Sequence, residues 1–163
     1  MLPLSKAWAM KAEANLATAE REAQVRDAPN FEAVCYHAKE CALHYLRARL
    51  EEAEVPFPTT PHLVVLLELC LDLESGWDEY RENLRFLMTS ANQVLEPVSR
   101  VNLKTATQAL EMAKAFREQA RDSLVAAANA PHRQHGPNAP SEMPSEVHME
   151  ISGEDIGDGL GGS

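Results

Sequence analysis

Glycine is nearly missing from the first 128 residues, where Gly76 is the only one. Such a chain has few places where the backbone can enter the left-handed region or come close to a phosphate. No Gly-rich loop precedes a helix, so no phosphate cradle of that kind is expected. Cysteine is scarce as well. Cys35, Cys41 and Cys70 are an odd number, which argues against a disulfide framework and for a reducing, cytoplasmic setting. No CxxC occurs. The longest apolar run, residues 63–67, falls far short of the roughly 20 residues that span a bilayer. The stretch MLPLSKAWAMKAEANL lacks the charged start and long apolar core of a secretory signal. Basic charge is in deficit too: 15 Lys and Arg face 25 Asp and Glu, for a net charge of −10. A generalised electrostatic grip on nucleic-acid phosphates is therefore excluded, and only a local basic patch is left.

What is present is alanine, leucine and glutamate without period-two alternation, an all-α composition. Breakers divide it. Ser5 is expected to cap a first helix running to about Asp27, with Trp8, Ala12, Leu16, Ala19 and Ala23 on one face. Asn30 caps a second, to about Ala53, whose inner face is Phe31, Val34, Cys35, Ala38, Cys41, Ala42, Tyr45 and Leu46. The PFPTTP segment is a stiff extended loop. A short third helix spans about residues 61–74. It is apolar nearly all round and so expected at the centre, with Gly76 ending it. A fourth runs from about Trp77 to Leu95 with Tyr80, Leu84, Leu87, Ala91 and Val94 inward. A fifth runs from about Asn102 to Ala128 and presents Leu103, Ala106, Ala109 or Leu110, Ala113, Phe116, Ala120 and Leu124. The expected architecture is an up-and-down antiparallel bundle of four long helices plus one short helix, residues 1–128.

Composition shifts after that point. Residues 129–163 hold six of the seven glycines, four of the ten prolines, six acids and Arg133 as the one Lys or Arg. Such a segment buries too little apolar surface to offset its ordering entropy and is expected to be a disordered acidic tail. Its VHMEI stretch reads either as a docking segment or as part of a bare spacer.

The stretch NFEAVCYHAKECALHYLRARL invites a chemical reading, since His37, Cys41 and His44 share one helix face. A metal site is not expected from it. One helix aims only two or three ligands well, a structural zinc site needs four, and Cys41 falls on the apolar seam, where free cysteine acts as a small hydrophobe. Nucleophilic catalysis is not expected either. All three thiols have apolar surroundings, which raise rather than lower their pKa. Cations cluster unevenly, at Arg47 and Arg49, Arg81 and Arg85, and Arg100 and Lys104. The plainer account is surface charge balancing Glu51, Glu52, Glu79 and Glu82; the functional account is a small groove for an anion or RNA.

The segment pattern resembles the HEPN family of helical bundles ("higher eukaryotes and prokaryotes nucleotide-binding"). The resemblance rests on Trp8 in AWAMKAEANLATAE, on Tyr36-His37-Ala38 within the second helix, and on the proline loop leading to PHLVVLLELC, over about residues 5–125. It implies a homodimer, often partnered with a small nucleotidyltransferase in a toxin–antitoxin-type pair, with no cofactor. The family's ribonucleases carry an Arg, four to six residues, then a His near the start of the last long helix. Arg100 stands in that place, but no histidine occurs between Ser75 and Ala130, so cleavage is not carried over. The residues expected to contact a nucleotide or RNA are His37, Arg47, Arg100 and Lys104. Two alternatives stay open: a ribonuclease with a degenerate site, using Arg100 with His37 or His62, and a generic helical protein-interaction scaffold.

Overall fold

The computed structural model describes residues 1–131; the expectations for the acidic tail and its VHMEI stretch lie outside them. Five α-helices follow in order: α1 (Pro3–Ala23), α2 (Phe31–Glu52), α3 (Leu63–Cys70), α4 (Arg81–Asn92) and α5 (Leu103–Asn129). Short 3₁₀ helices, Ser75–Tyr80 and Gln93–Leu95, extend α4 at both ends. No strand occurs among the described residues.

Helix directions follow from specific pairs. Leu2 meets Glu52 and Asn15 meets His37, so α1 runs antiparallel to α2. Phe31 shares a cavity wall with Leu103 while Arg49 bonds Ser123, so α2 and α5 run the same way. Cys35 lies beside Ser90 near the end of α4, and Tyr80 packs on Phe116 at its beginning, so α4 opposes both. This is the expected up-and-down bundle, flattened. α2 and α5 approach closely across it, while α1 and α4 lie on its outer sides. The close approach has a cause in sequence: Ala38, Ala42 and Ala48 on α2, and Ala106, Ala109, Ala113 and Ala120 on α5, are all buried. Side chains that end at Cβ let helix backbones draw near while still excluding water.

Several local expectations need correction. α1 begins at Pro3 and not after Ser5. Proline at the first helical position has no N–H to satisfy and a φ already set for helix, so it displaces the serine cap. Ser5 is fully buried inside the helix, its Oγ without a hydrogen-bond partner among the described residues. α1 also ends at Ala23, before the Asp27-Ala28-Pro29 turn, where Ala28 takes φ +48° and Pro29 disfavours helix at the residue before it. α3 is shorter than expected and not central. Its Leu63, Leu66, Leu67 and Cys70 are buried, but Val65 and Glu68 face outward. The chain leaves α3 through tight turns at residues 71–74, so Gly76 is not its stop. The central helix is α2, buried almost all round between Cys41 and Leu50. Leu103, expected inward, is 62% exposed, because it opens α5 beside the Asn102 cap and the buried stripe starts only at Ala106. The Val94 side chain is not among the described ones.

Candidate functional site

His37 and His44 lie on the α2 edge that faces α1. His37 donates from Nδ1 to Asn15 Oδ1 at 2.7 Å and meets the Tyr36 ring edge-on. Burial holds its pKa below the usual histidine range, against an opposing pull from Glu40. His44 is buried and stacks on Trp8, with ring centroids 5.4 Å apart. Its Nε2 lies 3.3 Å from Glu40 Oε2, and Lys39 reaches the same carboxylate at 2.8 Å. The hydrogen bond from His44, aided by Lys39, pulls the Glu40 carboxyl down to about 2 although burial opposes it.

That shift has a definite pH consequence. A carboxylate whose folded pKa is depressed contributes stability above its unfolded pKa and loses it as pH falls through the folded value. The advantage of the native protein over Glu40→Gln is therefore expected to be full above about pH 4.5. It should shrink on acidification and be gone near pH 2. Urea midpoints measured from pH 2 to 7 check this; a difference that stays constant with pH would refute it.

Arg47 is not a free cation. Its guanidinium lies over the Trp8 ring, 5.0 Å from the centroid, and Nη2 donates to the Thr60 carbonyl at 3.0 Å. Lys11 approaches the same ring at 5.4 Å. Trp8, 39 positions earlier in sequence, thus orders both His44 and Arg47. Its inward position on α1 was legible, but its choice of partners was not.

Arg100 and Lys104 belong to the other end of the bundle. Arg100 is exposed in the connection between α4 and α5, on the wall of an open hollow of about 560 Å³ shared with Gln93, Glu96, Pro97 and Val98. Lys104 is exposed in the first turn of α5. Neighbouring Ser99 and Val101 abut Asn30 and Phe31 at the start of α2. From Phe31 to Arg47 is 16 residues of helix, roughly 24 Å of axial rise. The four candidates therefore do not converge. Arg100 lines a hollow ahead of α5, Lys104 is exposed one turn further on and outside that lining, and His37 and Arg47 are engaged in the α1–α2 seam.

Two polar clusters had no sequence signal. Arg117 grips Glu13 through two bonds, 2.7 Å from Nε to Oε1 and 3.0 Å from Nη2 to Oε2, and the Tyr45 hydroxyl donates to the same carboxylate. Burial pushes the Glu13 carboxyl up, but the bonds from Arg117 and Tyr45 outweigh it and the net shift is downward. Burial and Glu13 together raise the Tyr45 phenol. In the second cluster, Arg49 Nε lies 3.0 Å from Glu74 Oε1 and 2.7 Å from Ser123 Oγ, and that hydroxyl donates to Glu74. The partners are 25 to 74 positions apart, beyond the reach of any periodicity. Arg81 pairs with Glu68 and Asp78, and Arg85 with Glu82, as ordinary surface ion pairs.

The cysteines are all buried and free. Burial pushes the Cys41 and Cys70 thiols up to about 12 and raises Cys35 as well, so thiolate is scarce at neutral pH. Among the described residues no group of three or more His, Cys, Asp or Glu is placed to hold a metal ion, and no helix is long and apolar enough to cross a membrane.

No curated protein and no solved structure matches the chain. The family model of the HEPN domain matches residues 5–123. That span takes in α2, α3 and α4 and most of α1 and α5, with Trp8, the Tyr36-His37-Ala38 turn and the Arg100 loop inside it. The chain is thus a member of the HEPN domain family.

Proposed function

We propose that this HEPN bundle is a non-catalytic binding module, holding a nucleotide or RNA phosphate at the Arg100 hollow with Lys104 reaching in from the first turn of α5. The observation that carries the reading is Arg100, exposed on the wall of an open hollow with Lys104 exposed four residues later, together with the lack of any histidine between Ser75 and Ala130. Acid–base cleavage of RNA needs a proton-transfer group within hydrogen-bond reach of the reacting oxygen. His37 is bonded to Asn15, and His62 caps α3 by accepting from the Val65 N–H. The module works as a cytoplasmic homodimer beside a small nucleotidyltransferase, in a toxin–antitoxin-type pair. Support for the dimer comes from Leu95 and Val98, two large apolar side chains three residues apart that are left 84% and 74% exposed where α4 gives way to the connection with α5, since exposed apolar surface marks interfaces when it is grouped.

The test uses purified protein and a fluorescent single-stranded RNA. Binding is expected to weaken with salt, and Arg100→Ala and Lys104→Ala are each expected to lower the salt slope by about one. No cleavage products are expected. Cleavage that disappears in Arg100→Ala would instead make the chain a ribonuclease with a degenerate site. Binding indifferent to both substitutions would leave a protein-interaction scaffold. Light scattering that gives only monomer at micromolar concentration would remove the dimer, and co-expression that recovers no nucleotidyltransferase would remove that partner.

A further inference from the structure

α1 and α5 both rest on α2 but splay from one another toward the N-terminus of α1. They meet where Lys114 approaches Glu20, and the Glu13–Arg117 pair is the last strut between them. Beyond that strut lies an open groove of about 670 Å³, with Tyr45 of α2 at its floor. Its walls repeat at helical spacing. Lys6, Met10 and Glu13 come from α1, and Arg117, Arg121, Leu124 and Val125 come from α5, a length of about 12 Å or two helical turns. Met10 and Val125 are 64% and 56% exposed, so apolar surface lies open on both walls. The charge is one-sided. Glu13 is consumed by Arg117 and Tyr45, whereas Lys6 and Arg121 form no ion pair among the described residues. A positive, apolar groove stands on a chain whose net charge is −10.

We propose that this groove is a docking site for an acidic amphipathic helix of a partner protein. The apolar walls would take residues at i, i+3 or i+4, and i+7 of the incoming helix. Lys6 and Arg121, one on each wall, would meet carboxylates on its two flanks. Openness along the groove suits a helix lying lengthwise better than an enclosed small molecule, which buries most of its surface. The same positive rim steers acidic partners in and excludes basic ones. The inference does not rest on the nucleotide reading, since the groove lies away from Arg100 and its test involves no RNA.

The experiment titrates methyl-labelled methionine protein with a designed peptide of about four helical turns, leucine on one face and glutamate on both flanks. A control peptide carries lysine at every glutamate position. The Met10 methyl is expected to shift with the acidic peptide while Met88 and Met112, packed against the core, stay in place. Added salt should weaken the binding. A Lys6→Glu, Arg121→Glu double variant, altered only at exposed positions and checked for helicity by circular dichroism, should bind at least about tenfold more weakly. Equal binding of the lysine peptide, or no effect of the double variant, would overturn the proposal. So would a Met10 methyl that moves with protein concentration alone, since a second copy would then be the occupant.

Discussion

Phe116→Ala is expected to lower stability by about 3–5 kcal/mol and the melting temperature by roughly 10–20 °C. Phe116 is almost fully buried, and its ring makes T-shaped contacts with Trp77 at 5.1 Å and Tyr80 at 5.6 Å between centroids. Both partner rings come from the 3₁₀ segment that leads into α4. Truncation would therefore lose the burial of the ring, leave a cavity, and remove the surface on which the α4 entrance is seated. The surroundings cannot easily collapse, because neighbouring positions on α5, Ala109, Ala113 and Ala120, have no side chain to swing into the void. Urea unfolding and calorimetry give the number. A loss below about 1 kcal/mol would mean that this ring is not a central anchor of the bundle.

The second large effect is expected at the buried charge cluster. Glu74→Ala should cost about 2–4 kcal/mol, toward the lower end because the Glu74 carboxylate is partly exposed. Arg49 is buried and directs Nε at both Glu74 and Ser123, so deleting the acid strands a guanidinium with one neutral partner. Replacing the whole cluster, Arg49→Met with Glu74→Leu and Ser123→Ala, removes the stranded charge along with the acid. The triple variant should therefore be more stable than Glu74→Ala alone. If it is less stable, the cluster contributes net stability beyond mutual neutralisation, and the argument from desolvation fails.

Much of the fold was legible because its long helices repeat their apolar positions every three or four residues. The inner faces of α2 and α5 follow that period, and nearly every residue placed on them is buried. Short elements gave no such purchase. HLVVLLELC is apolar on all sides, and nothing in it says that Val65 faces water or that the helix stops at Cys70. Local signals also compete: Ser5 is a good cap in isolation, but Pro3 starts the helix first. At the candidate site, residue type singled out Arg47 as readily as Arg100. Only the tertiary contact with Trp8 separates an occupied cation from an exposed one. The α1–α5 groove was invisible for the same reason, since its strut joins residues 104 positions apart.

The close pairing of α2 with α5 has a consequence for the order of events during synthesis. α2 is finished at Glu52, yet the surface that covers its Ala-rich side is completed only near Leu124. At about 5–20 residues per second, translation of the intervening 72 residues takes roughly 4–14 s. For that interval the nascent chain carries its future central helix with one face uncovered. That face carries Phe31 and Tyr45 beside its alanines, so an apolar strip stays open until α5 arrives to cover it.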